Sequence, residues 1–385
     1  MSKISRPYSD GDYEHINYLY KTVTGLSRSK QEYDWEWRDT WDGPGSVWLV
    51  FDDERNPEDQ LIGQYSLIPT PMNFWGKPYL AGKTENCMSH PDFRGKGMYV
   101  FHEKKYFEDA KKRFQVFFTT TGDVARGAPG KVRQKLGYKA FDYWVTYSLW
   151  LNHNELLDEV HTKLPKFINN KTIIGKISAK ILTWILLKFT SRTAPAKSGK
   201  FEDCSEAQVP LHEIEKLWKE NAAIYGISVD RTEKYLKWRI NDNPYVSHRY
   251  LCYYDQDKLL GYILYTIQDE KVYVVDVLAD KQDSSIFRAL FDKLKIMSEK
   301  NGCSQLKCYT SSKNSFLIDR LRESNFLNYS DLFSVLRVKK SVRPFQLFVY
   351  VSNEVSVEKD VWDTNSWYIT DLIKEGRSYT DSHIG

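Results

Sequence analysis

The chain has 385 residues, with 55 Lys and Arg against 51 Asp and Glu and a formal net charge of +4, so electrostatics alone do not call for nucleic acid as a partner. Five cysteines, an odd number without C-x-x-C spacing, fit a reducing compartment and supply no zinc motif. The stretch Met1–Glu14 is polar, so no signal peptide is expected there, and the expected location is cytoplasmic with no metal.

In chain order, the first runs are Ile4–Tyr8, then Asp10, Asp12 and the helical run His15–Thr22, and further on Leu61–Ser66. The most informative stretch follows, because Glu85–Tyr99 reads as a strand running into a glycine-rich turn and then a helix. Gly95 and Gly97 have no Cβ, so consecutive N–H groups can converge on an anion, and the positive end of the following helix adds its dipole. Arg94 and Lys96 add formal charge at the same point. From Met98 to Phe114 a helical wheel puts Tyr99, Val100, Tyr106, Phe107, Ala110 and Phe114 on one face, with Lys104, Lys105, Asp109, Lys111 and Lys112 on the other.

The turn has no G-x-x-x-x-G-K-[ST] pattern and no G-x-G-x-x-G fingerprint, since Met98, Tyr99 and Val100 follow Gly97. Nucleoside triphosphates and NAD lose weight accordingly. The segment Arg94-Gly95-Lys96-Gly97-Met98-Tyr99 resembles motif A of the GNAT acyltransferases, R/Q-x-x-G-x-G/A, and departs from it at Tyr99. In that family the turn holds the pyrophosphate of acetyl-CoA, and the preceding strand binds the pantetheine arm through its main chain. The resemblance therefore implies Met88 and His90 for the arm, and Arg94, Gly95, Lys96, Gly97 and Met98 for the pyrophosphate.

Other runs are similar to parts of the same fold. Ile4–Tyr8 and His15–Thr22 look like its first strand and helix, and Leu61–Ser66 resembles the strand that precedes motif A. The β-rich run Gln115–Thr121 and the Lys135-Leu136-Gly137-Tyr138 closing motif complete a domain at residues 1–150.

Acyl transfer to an amine requires removal of a proton, a thioester held nearby and a polarised carbonyl. Glu85 is the candidate base from its place in the motif A strand; the alternative is a strand-edge residue paired with Lys83. Relatives carry a tyrosine acid four residues before the closing glycine, but here that position is Arg133, and Arg126 falls near the asparagine expected further upstream. Tyr138 is the candidate substitute acid, with water or the amine itself as alternatives. Cys87 and His90 face opposite sides of a strand, so direct transfer is preferred over a cysteine intermediate. Glu103 is the one carboxylate within the apolar face of the motif A helix, so it is either paired in the core or part of a site.

The run 172–189 is rich in Ile, Leu and Lys. It is about 27 Å long as a helix, and its inner Lys176 and Lys180 would each cost about 2.5–3.5 kcal/mol near a bilayer centre. A transmembrane helix is not expected; the run either packs as a connector, the preferred reading, or lies on a membrane surface. Ser191–Gly199 reads as a linker. Beyond it, Trp37-Arg38 recurs as Trp238-Arg239 and Leu61-Ile62-Gly63 as Leu259-Leu260-Gly261 at nearly equal spacing, which suggests duplication. Where the second copy should have its phosphate turn stands Ala279–Ile286, with no glycine and three aspartates or lysines at Asp280, Lys281 and Asp283. The two aspartates would repel a pyrophosphate.

The expected fold is α/β (α+β), two GNAT-like domains, each a mixed and mostly antiparallel sheet flanked by helices. The expected boundaries are 1–150 for the acetyl-CoA-binding domain, 151–200 for the connector, 201–340 for a degenerate domain and 341–385 for a C-terminal extension. The expected function is acetyl transfer from acetyl-CoA to a small-molecule primary amine, with an amino sugar of a surface polysaccharide pathway as the first acceptor. Tryptophans such as Trp35, Trp37, Trp41, Trp48 and Trp75 could line such a site, although packing is the ordinary role of each. The alternatives are a non-catalytic CoA- or glycan-binding scaffold and a peripheral membrane acyltransferase.

Overall fold

A computed structural model describes residues 3–95, 97–122, 128–163, 177, 180–181, 183–184, 199–328 and 345–379. The first half runs β1 (Lys3–Pro7), α1 (Tyr13–Thr24), α2 (Lys30–Trp37), β2 (Ser46–Asp52), β3 (Leu61–Phe74), β4 (Lys77–Ser89), α3 (Met98–Ala110), β5 (Val116–Gly122), α4 (Ala128–Lys135), β6 (Lys139–Trp150) and α5 (His153–Lys163). The second repeats much of that order, with β7 (Lys200–Ser205), α6 (Leu211–Tyr225), β8 (Ile227–Val229), α7 (Glu233–Leu236), β9 (Arg249–Asp255), β10 (Lys258–Gln268), β11 (Lys271–Ala279), α8 (Ser284–Lys300), β12 (Gln305–Ser311), α9 (Ser315–Glu323), β13 (Leu327–Asn328) and β14 (Phe345–Val351). The duplicated tryptophans fall at equivalent places: Trp37 ends α2, and Trp238 lies in the π-helical turn that continues α7.

The chain divides into two compact units. The first contains residues 1–142 together with 229–245 and 345–362, segments that sequence boundaries placed in the second domain and the C-terminal extension. Its strands are ordered β1-β2-β3-β4-β5-β14. All neighbours are antiparallel except β4 and β5. The second unit orders its strands β7-β9-β10-β11-β12-β6, again with one parallel pair, β11 and β12. The last strand of each half has thus been exchanged. Trp144–Trp150 of β6 pairs with β12, and β14 pairs along β5 from Phe345↔Gly122 to Val351↔Val116.

Burial explains the elements of the first unit. Every residue of β3 is buried, as expected of a strand with neighbours on both edges and side chains covered on both faces. Helix α3 turns Tyr106, Phe107 and Ala110 toward that sheet, where they join Trp48, Ile62, Tyr65, Phe117, Tyr138 and Phe348 in one core. Phe348 belongs to the exchanged strand β14, so the core depends on residues more than two hundred positions apart in sequence. In the second unit α6 packs on β10, and α8 packs on β9, β10 and β11.

The apolar and basic run 172–189 lies almost wholly outside the described residues. Among those described, no helix is long and apolar enough to cross a membrane.

Candidate functional site

Strands β4 and β5 pair only at Ala81↔Val116, Gly82↔Phe117 and Lys83↔Phe118. Beyond that point β4 continues to Ser89 on the β3 side and β5 continues to Gly122 on the β14 side, so the two part. Splaying two parallel strands leaves backbone groups on their inner edges without a ladder partner, and such groups require another donor or acceptor. The gap is a cavity of about 680 Å³, lined by Thr84–Ser89 from β4, Thr119–Thr121 from β5, Phe93, Arg94, Gly95 and Gly97 from the turn, Val100 from α3, Val132 and Arg133 from α4, and Val23 from α1.

The cavity wall carries a β-bulge. Gln64 pairs with Met88 and Ser66 with Glu85, so one residue of β3 lies opposite two of β4, Asn86 and Cys87. Asn86 adopts a left-handed φ of 48°, an uncommon conformation for a residue with a Cβ. Side chains from β3 hold it there: Ser66 Oγ donates to the Glu85 carbonyl at 2.7 Å, and Gln64 Nε2 donates to the Asn86 carbonyl at 3.2 Å.

At the end of β4 the chain makes a 3-10 turn, Pro91–Phe93, before the two glycines. Gly95 and Gly97 both have positive φ, 75° and 74°, and a Cβ on either would meet nothing within 4 Å. The surface of the turn is therefore open. Gly97 is the N-cap of α3, no side chain caps that end, and the first turn has no acidic residue. The leading N–H groups of a 13-residue helix are thus left for an anion.

The expected arm and phosphate residues separate into three groups. Met88, Arg94, Gly95 and Gly97 line the cavity; Met98 opens α3, where its N–H is one of the unfilled donors; Lys96 lies outside the described residues. His90 was expected to serve the arm through its main chain, and its ring does not line the cavity. It is buried, with Nε2 3.1 Å from Asp59 and Nδ1 accepting from the Asp92 N–H at 3.3 Å. Arg55 bonds both of those aspartates, so His90 braces the turn from behind. With both ring nitrogens engaged there, a Cys87–His90 dyad is not formed.

Glu85 lines the cavity and makes an ion pair with the buried Lys83. Tyr138 also departs from expectation: it lies in the aromatic core, 5.4 Å from Phe107 and 6.1 Å from Tyr350 between ring centroids, and is not among the lining residues. Burial pushes its phenol up, against the opposing effect of the Arg133 charge. Glu103, left open by sequence, is 1% exposed and ion-paired with Arg133, which is also buried. Sequence reasoning had singled out Arg133 only as the place where a tyrosine was missing. The clamp residues Gln64 and Ser66 gave no signal, because polar residues in a buried strand declare a role only when their partners are known. Among the described residues no group of His, Cys, Asp and Glu is placed to hold a metal ion.

Residues 5–120 match the family model described as an acetyltransferase (GNAT) domain. The N-terminal part of the chain belongs to the GNAT superfamily. Solved structures share the GNAT fold over most of this chain at low identity. A probable N-acyltransferase from Enterococcus faecalis V583 has a TM-score of 0.59 at 14% identity, over 91% of this chain and 73% of that one. A tandem GNAT protein from the clavulanic acid biosynthesis pathway has a TM-score of 0.53 at 10% identity, over 91% and 98%. Saccharomyces cerevisiae N-myristoyltransferase with bound myristoyl-CoA has a TM-score of 0.51 at 12% identity, over 91% and 79%. No curated protein sequence matches the chain significantly. The GNAT fold is one of N-acyltransferases that use acyl-CoA cosubstrates.

Proposed function

We propose that this GNAT protein transfers an acetyl group from acetyl-CoA directly to a primary amine. The observation that carries the reading is the parting of β4 and β5 into a cavity that ends at an uncapped helix N-terminus behind two left-handed glycines. A cosubstrate with an amide-rich arm and a pyrophosphate matches both ends. The free edge of β4 from Thr84 to Ser89 offers main-chain groups to the amides, with Met88 against the arm. The N–H groups from Gly95 to Met98, with Arg94 and Lys96, take the pyrophosphate.

In this reading the bulge at Asn86–Cys87 sits beside the thioester. Glu85 accepts the proton of the incoming ammonium, directly or through water, and its ion pair with Lys83 fixes where the carboxylate points. Tyr138 supports the wall of the site from the core instead of donating a proton into it. Amino sugars are the first acceptors to screen, followed by peptides and other small amines.

The test is calorimetric titration of acetyl-CoA into the wild type and into a folded Gly95→Glu, Gly97→Glu variant. Micromolar binding that the variant loses is expected, and absence of binding to the wild type removes the proposal.

A further inference from the structure

Among the described residues, two cationic side chains line the cavity, Arg94 and Arg133. Arg94 is exposed and stands in the phosphate turn, whereas Arg133 is 4% exposed and comes from α4. An acyl-CoA presents permanent negative charge on its phosphates, the pyrophosphate among them, and a developing one on the sulfur, which becomes a thiolate as the acyl group leaves. The glycine turn and Arg94 address the first.

Resting on the acyltransferase reading, we propose that Arg133 addresses the second, its guanidinium stabilising the CoA thiolate as the leaving group. Its Nη2 already lies 3.8 Å from the Cys87 sulfur on the cavity wall. The Glu103 ion pair holds the guanidinium in place, and the rings of Tyr65 and Tyr138 lie 5.8 and 5.6 Å from its central carbon. A cation in a water-poor site acts on a developing negative charge more strongly than it does in bulk water, and a guanidinium does so without giving up a proton.

The electron count is simple. Glu85 first takes one proton from the incoming ammonium and passes it to water; the lone pair of the resulting neutral amine forms the bond to the carbonyl carbon, the carbon–sulfur bond breaks with its pair remaining on sulfur, and the second proton, released by the nitrogen as it becomes an amide, passes to Glu85 or water. The product leaves the site as a thiolate and takes its proton from solvent. No acid is then needed at the position where relatives carry tyrosine.

The test compares CoA with desulfo-CoA, which lacks the thiol, in calorimetric titrations from pH 7 to 9.5. The proteins are the wild type, Arg133→Lys and the double variant Glu103→Gln, Arg133→Gln, which removes both buried charges together and so avoids stranding one. In the wild type, CoA binding is expected to tighten about tenfold as the thiol ionises, the effect of lowering its pKa by about one unit, while desulfo-CoA shows no such trend. Arg133→Lys retains most of the tightening, and the double variant loses it. A double variant that tightens as the wild type does overturns the assignment, as does a wild type whose affinities for the two ligands change identically with pH; the latter comparison needs no variant to fold. Failure of the wild type to bind either ligand overturns the acyltransferase reading and this assignment with it.

Discussion

The two units share a strand plan and differ at the one place where a ligand would enter. In the first, β4 and β5 part to leave a cavity; in the second, β11 and β12 pair from Lys271↔Gln305 to Val274↔Cys308 and then part in the same way. There the chain's own segment Trp367–Ile373 fills the gap. Tyr368 Oη donates to the Val277 carbonyl at 2.5 Å, Thr370 Oγ1 to Asp276 at 2.8 Å, and Thr310 Oγ1 to the Ile369 carbonyl at 2.7 Å. The helix ends differ in parallel. α3 begins behind two glycines with no cap, whereas Asp283 caps α8 by accepting the Ser285 N–H at 3.0 Å, and Asp280 accepts the Gln282 N–H at 3.0 Å. A fold that splays two parallel strands must satisfy the exposed edges somehow. One unit leaves its gap as a cavity and the other fills it with its own chain.

The sharpest way to break this comparison is to empty the filled gap. Trp367, Tyr368, Ile369, Leu372 and Ile373 are all buried, and each contributes about 1.5–3 kcal/mol, so ending the chain at residue 362 is expected to unfold the second unit. Circular dichroism and limited proteolysis would read this, and Trp367→Ala alone is expected to cost about 3–5 kcal/mol in a urea titration. An undiminished melting transition would show that the segment is not structural.

The next largest effect concerns the charge pair behind the open cavity. Glu103→Leu leaves the buried Arg133 without its carboxylate and is expected to cost about 3–5 kcal/mol, whereas Glu103→Leu combined with Arg133→Met is close to neutral. Equal losses in the two variants would mean that packing, and not charge, matters there.

Gly97→Asp then places a carboxylate at the start of α3, as at the start of α8. Acetyl-CoA affinity is expected to fall about 10- to 100-fold, that is by about 1.4–2.8 kcal/mol. The reciprocal Asp283→Ala should leave that affinity unchanged and cost only a helix cap, about 0.5–2 kcal/mol. Titration calorimetry and thermal melts separate the two. The smallest effect is expected from Ser66→Ala, which removes one hydrogen bond from the bulge for about 0.5–1.5 kcal/mol and, if the bulge positions the thioester, lowers turnover more than it weakens acetyl-CoA binding.

Much of the first unit was legible because its signals are local. The glycine turn, the α3 face at Tyr106, Phe107 and Ala110 and the recurrence of Trp37-Arg38 as Trp238-Arg239 each span a few residues. Proximity to the motif in sequence does not say which side of the sheet a side chain reaches. His90 turns back to Asp59, and Tyr138 enters the aromatic core. The pairing of Glu103 with Arg133 joins two helices separated by a strand, and no periodicity connects them.

Sequence by itself determined the glycine turn, the duplication and the absence of such a turn from the second copy, because backbone freedom at glycine and the sign of aspartate charge are properties of the residues alone. Tertiary structure decided which strand completes which sheet, what occupies each splayed gap and which charged side chain faces the cavity. Those outcomes depend on pairings such as β5 with β14 and Thr310 with Ile369. Their partners lie far apart along the chain, and edge hydrogen bonds are specified by three-dimensional register, not by any local pattern.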